Sequence, residues 1–556
     1  MVAPSGGLRP GGLRPVSAPL VLDPNAITPA SWPETFPLLL GAVVLGFIAL
    51  IVCFQRGYVL LYGDAVAHLG IARRIFDSRN PGLAQLGGVW LPLPHLLMLP
   101  FINTMVWWQS GMAGAWPSLA CYVLGVAGFY RLARRMLVPR WALAATAFYG
   151  LNPNLLYLST TAMTEPLFLA LLIWLTLVTV ECVDAIRNED QARVARRMVG
   201  LGLLVLAAVF TRYDGWVLGA MVWCVVTWHL FRAPAVWRRV APWFAVFTVL
   251  AVAGPVLWLW YNQHFFHDPL DFMRGPYSAP AIEKKTSPPG SRHYRGWHNP
   301  AWALLFYTRT AQVDAAVWET GFVVMAAALT GLWMAWRRGL ERASTLLWMP
   351  LAFYVYSIAW GSVPIFIPQL WPHSYYNARY GMELLPSLAL FTWVAVAVLE
   401  RRLESEAGAE ASPARPLAAA NSLAMMYRVP SVLKEGMVNA TTRMAFEQSL
   451  AQILNSFPPG VPILMYNSDH IGALQEAGIP LKQTLNEGDW DTWHAALEAP
   501  AEHAAYVVAI AGDPVSKAVA AHPENLEELT VLCTTGQPCA RVYRSSATIA
   551  TRPVQP

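Results

Sequence analysis

Long apolar runs separated by short basic loops constrain this chain more than any other feature. A spanning helix needs about 20 mainly apolar residues. Only 13% of the 556 residues are charged, whereas soluble domains carry about 25%. We therefore predict a mainly α-helical, polytopic membrane protein with about ten spans. The candidate spans are 37–54, 114–132, 141–158, 165–182, 198–211, 215–231, 241–261, 317–336, 344–362 and 381–399.

Arginines in the connecting loops indicate the orientation of these spans. Cytoplasmic loops of membrane proteins carry an excess of Lys and Arg, and the basic clusters share one side only if the further apolar run 90–108 does not cross. We therefore predict a cytoplasmic N-terminus and a juxtamembrane or re-entrant helix over 90–108. The clusters are Arg131, Arg134, Arg135 and Arg140; Arg187, Arg193, Arg196 and Arg197; Arg232, Arg238 and Arg239; Arg337, Arg338 and Arg342; and Arg401 and Arg402.

Changes in composition divide the chain into four parts. Residues 1–36 are rich in Gly and Pro and are predicted to form a disordered tail, and 37–400 is the transmembrane domain. Residues 401–429 have the low complexity of a linker. In 430–556, short β-type runs alternate with helical segments, which predicts a small soluble α/β domain.

The sequence allows this C-terminal domain on either side of the membrane. The number of predicted spans places it in the cytoplasm, unless the short run 416–426 forms an eleventh span. Cys533 and Cys539 flank the turn-like TTGQP. They either form a disulfide in an oxidising compartment or stay as two free thiols.

The segment 61–101, in the first loop on the non-basic side, is predicted to be the centre of the functional site. It holds two helix-like pieces interrupted by Asn80-Pro81-Gly82. In the first piece Ala65, Leu69 and Ala72 recur at helical spacing, with polar residues between them. We expect such an amphipathic helix to lie in the membrane interface, with its apolar side against the acyl chains.

Three polar residues of this segment are candidate site residues. Asp64 precedes the first piece and is predicted to be a catalytic carboxylate at the water–lipid boundary, or an N-cap, or both. His68 lies one turn further on and faces the same way; alternatively it reaches to the interface. His95 in LPLPHLL either contacts the same ligand or anchors the interface.

The other candidates stand at the same end of later spans. Glu165 opens a helix as Thr164-Glu165-Pro166, where an acid is either an ordinary helix start or functional. Arg379 and Tyr380 open the last span without a neighbouring acid, which suits an arginine that binds an anion such as phosphate.

Arg212, Tyr213 and Asp214 lie between two apolar runs. Polar groups there are costly unless they are paired. We predict either a structural Arg–Asp pair or part of a ligand site.

Together these motifs resemble the GT-C glycosyltransferases. The shared features are an acid in the first loop, two juxtamembrane helices with a Pro-Leu step, Thr-Glu-Pro opening a later span and Arg-Tyr opening the last one. The similarity covers residues 37–400. It is greatest to the branch that includes protein O-mannosyltransferases and bacterial aminoarabinose transferases.

The resemblance implies a function. Similar enzymes transfer a sugar, such as a hexose, from a polyprenyl-phosphate donor to a hydroxyl of a lipid, glycan or protein acceptor on the outer face of the membrane. It implies a multi-pass protein of the cell membrane, here a bacterial inner membrane with the site facing the periplasm or exterior. Asp64 would be the general base or the carboxylate that orients the acceptor, and Arg212, Arg379 and His95 would hold the carrier phosphate.

A single displacement by such an enzyme inverts the anomeric centre. Many members of the family have two adjacent acids in the first loop, but Ala65 follows Asp64 here. No cofactor is assigned, and a divalent metal ion, if one is used, would be held by Asp64 and Glu165.

Other function classes compete with this interpretation. A transporter or flippase of lipid-linked glycans would show an internal repeat, and none is evident in the sequence. An O-antigen ligase or polymerase would use the same lipid phosphate. A membrane-anchored binding protein would depend on 430–556 and not on Asp64. The sequence lacks nucleotide-binding and zinc motifs, and no nucleic-acid partner is predicted.

Overall fold

The computed structural model describes residues 28–286, 290, 293–337, 342–407 and 414–547. Residues 1–27 of the predicted tail and 408–413 of the predicted linker lie outside the described residues.

The α-helices are α1 (Trp32–Gln55), α2 (Gly63–Arg74), α3 (Leu93–Ile102), α4 (Met105–Gln109), α5 (Met112–Ala133), α6 (Pro139–Gly150), α7 (Pro153–Leu158), α8 (Glu165–Arg187), α9 (Gln191–Val209), α10 (Asp214–Phe231), α11 (Pro234–Phe266), α12 (Asp271–Arg274), α13 (Ala279–Thr286), α14 (Pro300–Ala315), α15 (Trp318–Arg337), α16 (Met349–Trp360), α17 (Leu385–Ala407), α18 (Ala414–Tyr427), α19 (Ser431–Leu454), α20 (Ile471–Ala477), α21 (Trp493–Glu498), α22 (Pro500–His503) and α23 (Pro514–Ala521). The strands are β1 (Ile463–Met465), β2 (Thr484–Leu485), β3 (Tyr506–Ile510), β4 (Leu526–Leu532) and β5 (Ala540–Ser545). Short 3₁₀ helices cover Leu83–Leu86, Arg342–Trp348, Ala378–Leu384 and Leu481–Gln483.

The protein is a multi-pass membrane protein. In the part of the chain that the structure describes, eight helices are long and apolar enough to cross a bilayer. They are Trp32–Gln55, Met112–Ala133, Glu165–Arg187, Asp214–Phe231, Pro234–Phe266, Trp318–Arg337, Arg342–Trp360 and Ala378–Glu400.

Two other predicted spans are helical but fall outside this set. One, 198–211, lies largely in α9, which begins with several arginines. The other, 141–158, is divided into α6 and α7 because Pro153 cannot continue a helix hydrogen-bond ladder. There the Asn152 side chain caps α7 by accepting from the backbone N–H of Asn154 at 2.9 Å and of Leu155 at 3.2 Å.

The run 90–108 forms two short helices and no span. A helix of ten residues such as α3 rises only about 15 Å, which is half the apolar thickness of a bilayer. The segment between the predicted spans 241–261 and 317–336 is more than a connecting loop, because it contains the largely buried helix α14. Asn299 caps α14 by accepting from the backbone N–H of Trp302 at 3.2 Å, and Pro300 follows at the first turn.

The expectation that the first helix of the 61–101 segment faces lipid is wrong. In α2 the side chains of Ala65, Leu69 and Ala72 are fully buried, and the polar His68 and Arg73 are buried too. The helix is enclosed because α3 packs on one side and α20 of the C-terminal part packs on the other. Amphipathic spacing showed that one face of α2 is buried, but not that protein, rather than lipid, covers it.

The C-terminal part lies on the side of the molecule that carries Asp64, and not on the opposite side that the span count predicts. The backbone N–H of Leu481 donates to Asp77 at 3.2 Å, and the Gln85 side chain donates to the carbonyl of Gly488 at 2.9 Å. The physical reason is α18, a helix within the predicted linker that packs against α6. The apolar run 416–426 within this helix is shorter than the about 20 residues of a spanning helix, so the span count omits it.

Residues 431–547, called the C-terminal region below, form a small α/β unit. Its sheet has the order β2-β1-β3-β5-β4. The pairs β1–β2 and β1–β3 are parallel, and β3–β5 and β4–β5 are antiparallel. Cys533 and Cys539 form a disulfide beyond β4, which decides between the two states left open by the sequence.

Candidate active site

Asp64 lies in the first turn of α2, where its carboxylate is the most accessible charge of a buried cluster. The helix N-cap is Tyr62, without a side-chain cap, so the alternative that Asp64 caps this helix is wrong. The Asp64 carboxylate accepts a hydrogen bond from Nη2 of Arg379. The Asp64 side chain is 42% exposed, whereas that of Arg379 is 6% exposed. One face of the carboxylate is therefore open to a ligand.

Arg379 is not the unpaired cation that its sequence neighbours suggested. Its Nε donates to Oε1 of Glu165 at 3.1 Å, while its Nη2 reaches Asp64. The 3₁₀ helix that carries Arg379 begins after Asn377, which has a φ of 54° and donates to the carbonyl of Pro364 at 3.0 Å. Both acids come from helices far away in the chain, so no local pattern announced the pairing.

Arg212 is the centre of a second set of polar contacts. It lies in the break between α9 and α10, and its Nε donates to Oδ2 of Asp214 at 3.1 Å. Its Nη2 lies 3.2 Å from Oε1 of Glu383, and its Nη1 lies 3.5 Å from Oε1 of Glu165. Glu165 therefore joins the two arginines. The predicted Arg–Asp pair exists, but within a larger network.

Tyr380 and Tyr213, although both predicted, occupy different places. The Tyr380 ring lies 4.8 Å from the Arg379 guanidinium and 5.0 Å from that of Arg212, so its π electrons interact with both cations. Tyr213 donates to the backbone carbonyl of Val89 at 2.6 Å. Tyr213 thus holds the first loop and makes no described hydrogen bond to the arginine network.

His68 and His95 form a buried pair. Nδ1 of His68 and Nε2 of His95 are 2.8 Å apart, and the His68 ring packs at a tilt against Trp90 with 4.2 Å between ring centroids. Burial, together with the charges of Arg379 and then Arg212, lowers the pKa of His68 to about 3. Burial also lowers the pKa of His95 well below its usual value, helped by His68 and Arg74. The structure contradicts interfacial exposure for both, and a neutral pair can share a single N–H donor.

The sequence did not single out several residues that the structure brings to this site. The hydroxyl of Tyr354 accepts from Nη2 of Arg212 at 2.6 Å and donates to Oε1 of Glu383 at 2.7 Å. An acid such as Glu383 inside the last span was a signal that could have been used. Arg74 has no carboxylate partner among the described residues, and its Nε is buried without a hydrogen bond. Its charge is among those that lower the pKa of His95.

The carboxylates that would hold a divalent ion are already bridged by an arginine. Asp64 and Glu165 both accept hydrogen bonds from Arg379, so the guanidinium fills the position between them. Within the described ranges, no group of three His, Cys, Asp or Glu side chains is placed to hold a metal ion. These residues therefore do not fit the metal site considered from the sequence.

Comparison with known proteins finds the same fold but no close sequence relative. No family model and no curated protein matches the chain. The crystal structure of ArnT from Cupriavidus metallidurans bound to undecaprenyl phosphate has 15% sequence identity and a TM-score of 0.51, and the match covers 94% of this chain and all 100% of that one. The apo state of the same ArnT has 17% identity and a TM-score of 0.50, covering 90% of this chain and 97% of that one.

ArnT is a GT-C aminoarabinose transferase, and the likeness extends over the membrane helices and the C-terminal region. The GT-C-like fold predicted from the sequence is therefore confirmed. At this level of identity the likeness shows the fold and not the chemistry, which depends on the site.

Proposed function

We propose that the protein is a membrane glycosyltransferase that moves a sugar, such as a hexosyl group, from a polyprenyl-phosphate donor to an acceptor hydroxyl with inversion. One observation carries this proposal. The half-exposed carboxylate of Asp64 stands beside the buried Arg379 and Glu165, at one end of the apolar helices. A base and a cation side by side at the membrane boundary suit a lipid-borne phosphate donor. The fold shared with ArnT, which was crystallised with undecaprenyl phosphate, supports the same class of donor.

In the proposed reaction Asp64 is the general base. It accepts the proton of the acceptor hydroxyl while that oxygen forms a bond to the anomeric carbon. The bond from the anomeric carbon to the phosphate oxygen breaks, and its electron pair leaves with the lipid phosphate. Because one displacement occurs on the face opposite the leaving group, the anomeric configuration inverts. A positioned base contributes typically about 10²–10⁴-fold in rate.

The leaving phosphate needs positive charge and hydrogen-bond donors, and does not need an acid. The guanidinium of Arg379 donates a hydrogen bond to the Asp64 carboxylate, and it is the cation next to the proposed base. Arg74, whose Nε lacks a hydrogen bond among the described residues, is a second arginine that we propose binds the anion. We assign the phosphate to the region between these two arginines, past the neutral His68–His95 pair.

Glu165 has a free acceptor suited to a sugar hydroxyl. Its Oε2 is buried and has no hydrogen-bond partner in the described part of the chain, although Oε1 is bound by Arg379. An unpaired buried acceptor costs about 1–3 kcal/mol, and a donating hydroxyl of the donor or acceptor would remove that cost. Arg212, Asp214 and Tyr380 would act on the substrate through Glu165 and Arg379.

The site is proposed to face the periplasm or exterior of a bacterial inner membrane. The predicted basic loops lie at the opposite ends of the spans from Asp64, and by the positive-inside rule this supports an outside position for Asp64. The disulfide between Cys533 and Cys539 lies in the C-terminal region, on the Asp64 side. Disulfides persist in oxidising compartments, so it supports the same orientation independently.

A transfer assay tests this proposal. Purified protein in lipid nanodiscs is given polyprenyl-phosphate sugars with a labelled sugar, together with lipid, glycan or peptide acceptors. We expect label to move from a polyprenyl-phosphate donor to an acceptor with inverted configuration, determined by NMR of the product. Nucleotide sugars and polyprenyl-pyrophosphate glycans are the controls and should give no product. Transfer from a pyrophosphate glycan alone would indicate a ligase, and lipid movement across liposomes without transfer would indicate a flippase.

A further inference from the structure

One buried carboxylate of the C-terminal region reaches the proposed active site. Glu435, on the second turn of α19, is 1% exposed. Its Oε2 accepts a hydrogen bond from the hydroxyl of Tyr62 at 2.8 Å, which that hydroxyl shares with the backbone carbonyl of Val432 in the same helix at 2.9 Å. The same oxygen accepts from the backbone N–H of Arg379 at 3.4 Å. Burial raises the pKa of Glu435, and the charge of Arg379 opposes that rise.

These two donors belong to the two elements that hold the reacting pair. Tyr62 is the N-cap residue of α2 and lies two positions before Asp64. Its ring also lies 5.2 Å from the Arg379 guanidinium. A single oxygen of Glu435 therefore links the start of the helix that carries Asp64 to the backbone of the arginine that binds Asp64.

Helix α19 is itself fixed against the membrane domain before and after Glu435. At its first turn, Ser431 donates to Oδ1 of Asp314 at 2.6 Å, and the backbone N–H of Val432 donates to Asn154 at 2.9 Å. Two turns beyond Glu435, Nη2 of Arg443 donates to the carbonyl of Leu60 at 2.9 Å. The helix is thus a rigid support and not a loosely attached one.

The close approach of α19 to the first loop depends on Gly436. A Cβ at this position would lie 3.0 Å from the hydroxyl of Tyr157 and 3.3 Å from Cε2 of Tyr62. Such contacts are tighter than carbon atoms normally tolerate. The small residue beside Glu435 therefore lets the helix backbone come near enough for its carboxylate to reach Tyr62.

We infer that Glu435 is a positioning residue, through which the C-terminal region sets the distance and angle between Asp64 and Arg379. The inference rests on the proposed function, and it adds a role for a region that the membrane-domain chemistry leaves unused. What the site requires at this position is an acceptor that receives both hydrogen bonds. Gln keeps an acceptor oxygen at nearly the same place, whereas Leu fills the volume and removes the acceptor.

The test compares Glu435→Leu and Glu435→Gln with the wild type. A misplacement of about 1 Å costs about 100-fold in rate, so we expect Glu435→Leu to lower kcat about 100-fold with an unchanged donor KM, and Glu435→Gln to stay within about threefold. The matched control is Gln448→Leu on the exposed face of the same helix, which should leave kcat unchanged. Hydrogen exchange over 59–66 and 378–384 should be faster in Glu435→Leu and not in the control.

The possible results separate a failure of the positioning role of Glu435 from a failure of the proposed glycosyltransferase function. Unchanged hydrogen exchange in both segments of Glu435→Leu overturns the positioning role, whatever the activity. Faster exchange with wild-type kcat overturns it as well, since the two elements would then move without consequence. If the wild type transfers no sugar from any donor, the proposed function fails. In that case the exchange data alone decide whether Glu435 fixes the two segments.

Discussion

Replacement of Asp64 by Asn removes the proposed base while keeping the size of the side chain. An amide cannot take up the proton of the substrate hydroxyl that attacks the sugar. We therefore expect kcat to fall by about 10²–10⁴-fold, which corresponds to about 2.7–5.4 kcal/mol in the activation barrier. Binding of the donor should be retained, because Arg379 keeps its contact to Glu165 at 3.1 Å. The loss should therefore appear in kcat and not in KM.

The effect of the same change on stability should be small. The Asp64 side chain is 42% exposed, and exposed ion pairs contribute only about 0.2–1 kcal/mol. By contrast, Asp77 accepts from Nε of Arg73 at 2.8 Å with both side chains buried. Asp77→Asn is therefore the matched control: it should lower the free energy of unfolding by about 3 kcal/mol and leave kcat of the folded protein unchanged.

The measurement is single-turnover sugar transfer in nanodiscs, with thermal unfolding of each variant recorded in parallel. Asp64→Asn should be nearly inactive and nearly as stable as the wild type, and Asp77→Asn should be active and less stable. Retention of more than a tenth of the wild-type rate by Asp64→Asn would refute the assignment of the base. Destabilisation of Asp64→Asn equal to that of Asp77→Asn would show instead that the ion pair is structural.

Three further predictions concern other parts of the molecule. Arg212→Met should lower the free energy of unfolding by about 3–5 kcal/mol, because it leaves buried carboxylates without their cation; an unchanged thermal midpoint would contradict the network. Because the pKa of folded His68 is about 3 against 6.5 for the free side chain, the unfolded chain binds more protons between these values. Stability should thus fall as the pH decreases below 6.5, by about 1.4 kcal/mol per pH unit for this group, and His68→Gln should flatten the dependence of the thermal midpoint on pH; an equal slope in the variant would refute a neutral buried histidine. In intact cells, Glu524→Cys should react with a membrane-impermeant maleimide and Asn188→Cys should not, and the reverse pattern would invert the proposed orientation.

The span pattern and the strands of the C-terminal region were predictable from local sequence. The run YVVAI at 506–510 forms β3, because consecutive aromatic and β-branched residues favour a strand. The α14 helix in 300–315 was missed since its apolar residues do not fill a span. The short α18 was underestimated for the same reason, and with it the side on which the C-terminal region lies.

The sequence also located the candidate site residues but not their pairing. It indicated Asp64, Glu165, Arg212 and Arg379 because charges at the ends of membrane helices are costly. It could not indicate that Arg379 is paired, since its partner Asp64 lies 315 positions away in the chain. Nor could it indicate Glu435, which belongs to a region that looked separate from the membrane domain.

By itself, the sequence determined that this chain inserts into a membrane, which end of its helices carries the ionisable residues, and that a small α/β unit follows. These properties depend on hydropathy and on short-range periodicity, both of which are local. Only the tertiary structure decided which acid meets which arginine, that α2 is covered by protein, and that the C-terminal region contributes a carboxylate to the site. Those outcomes depend on the packing of elements far apart in sequence, and no local pattern encodes the distance between them.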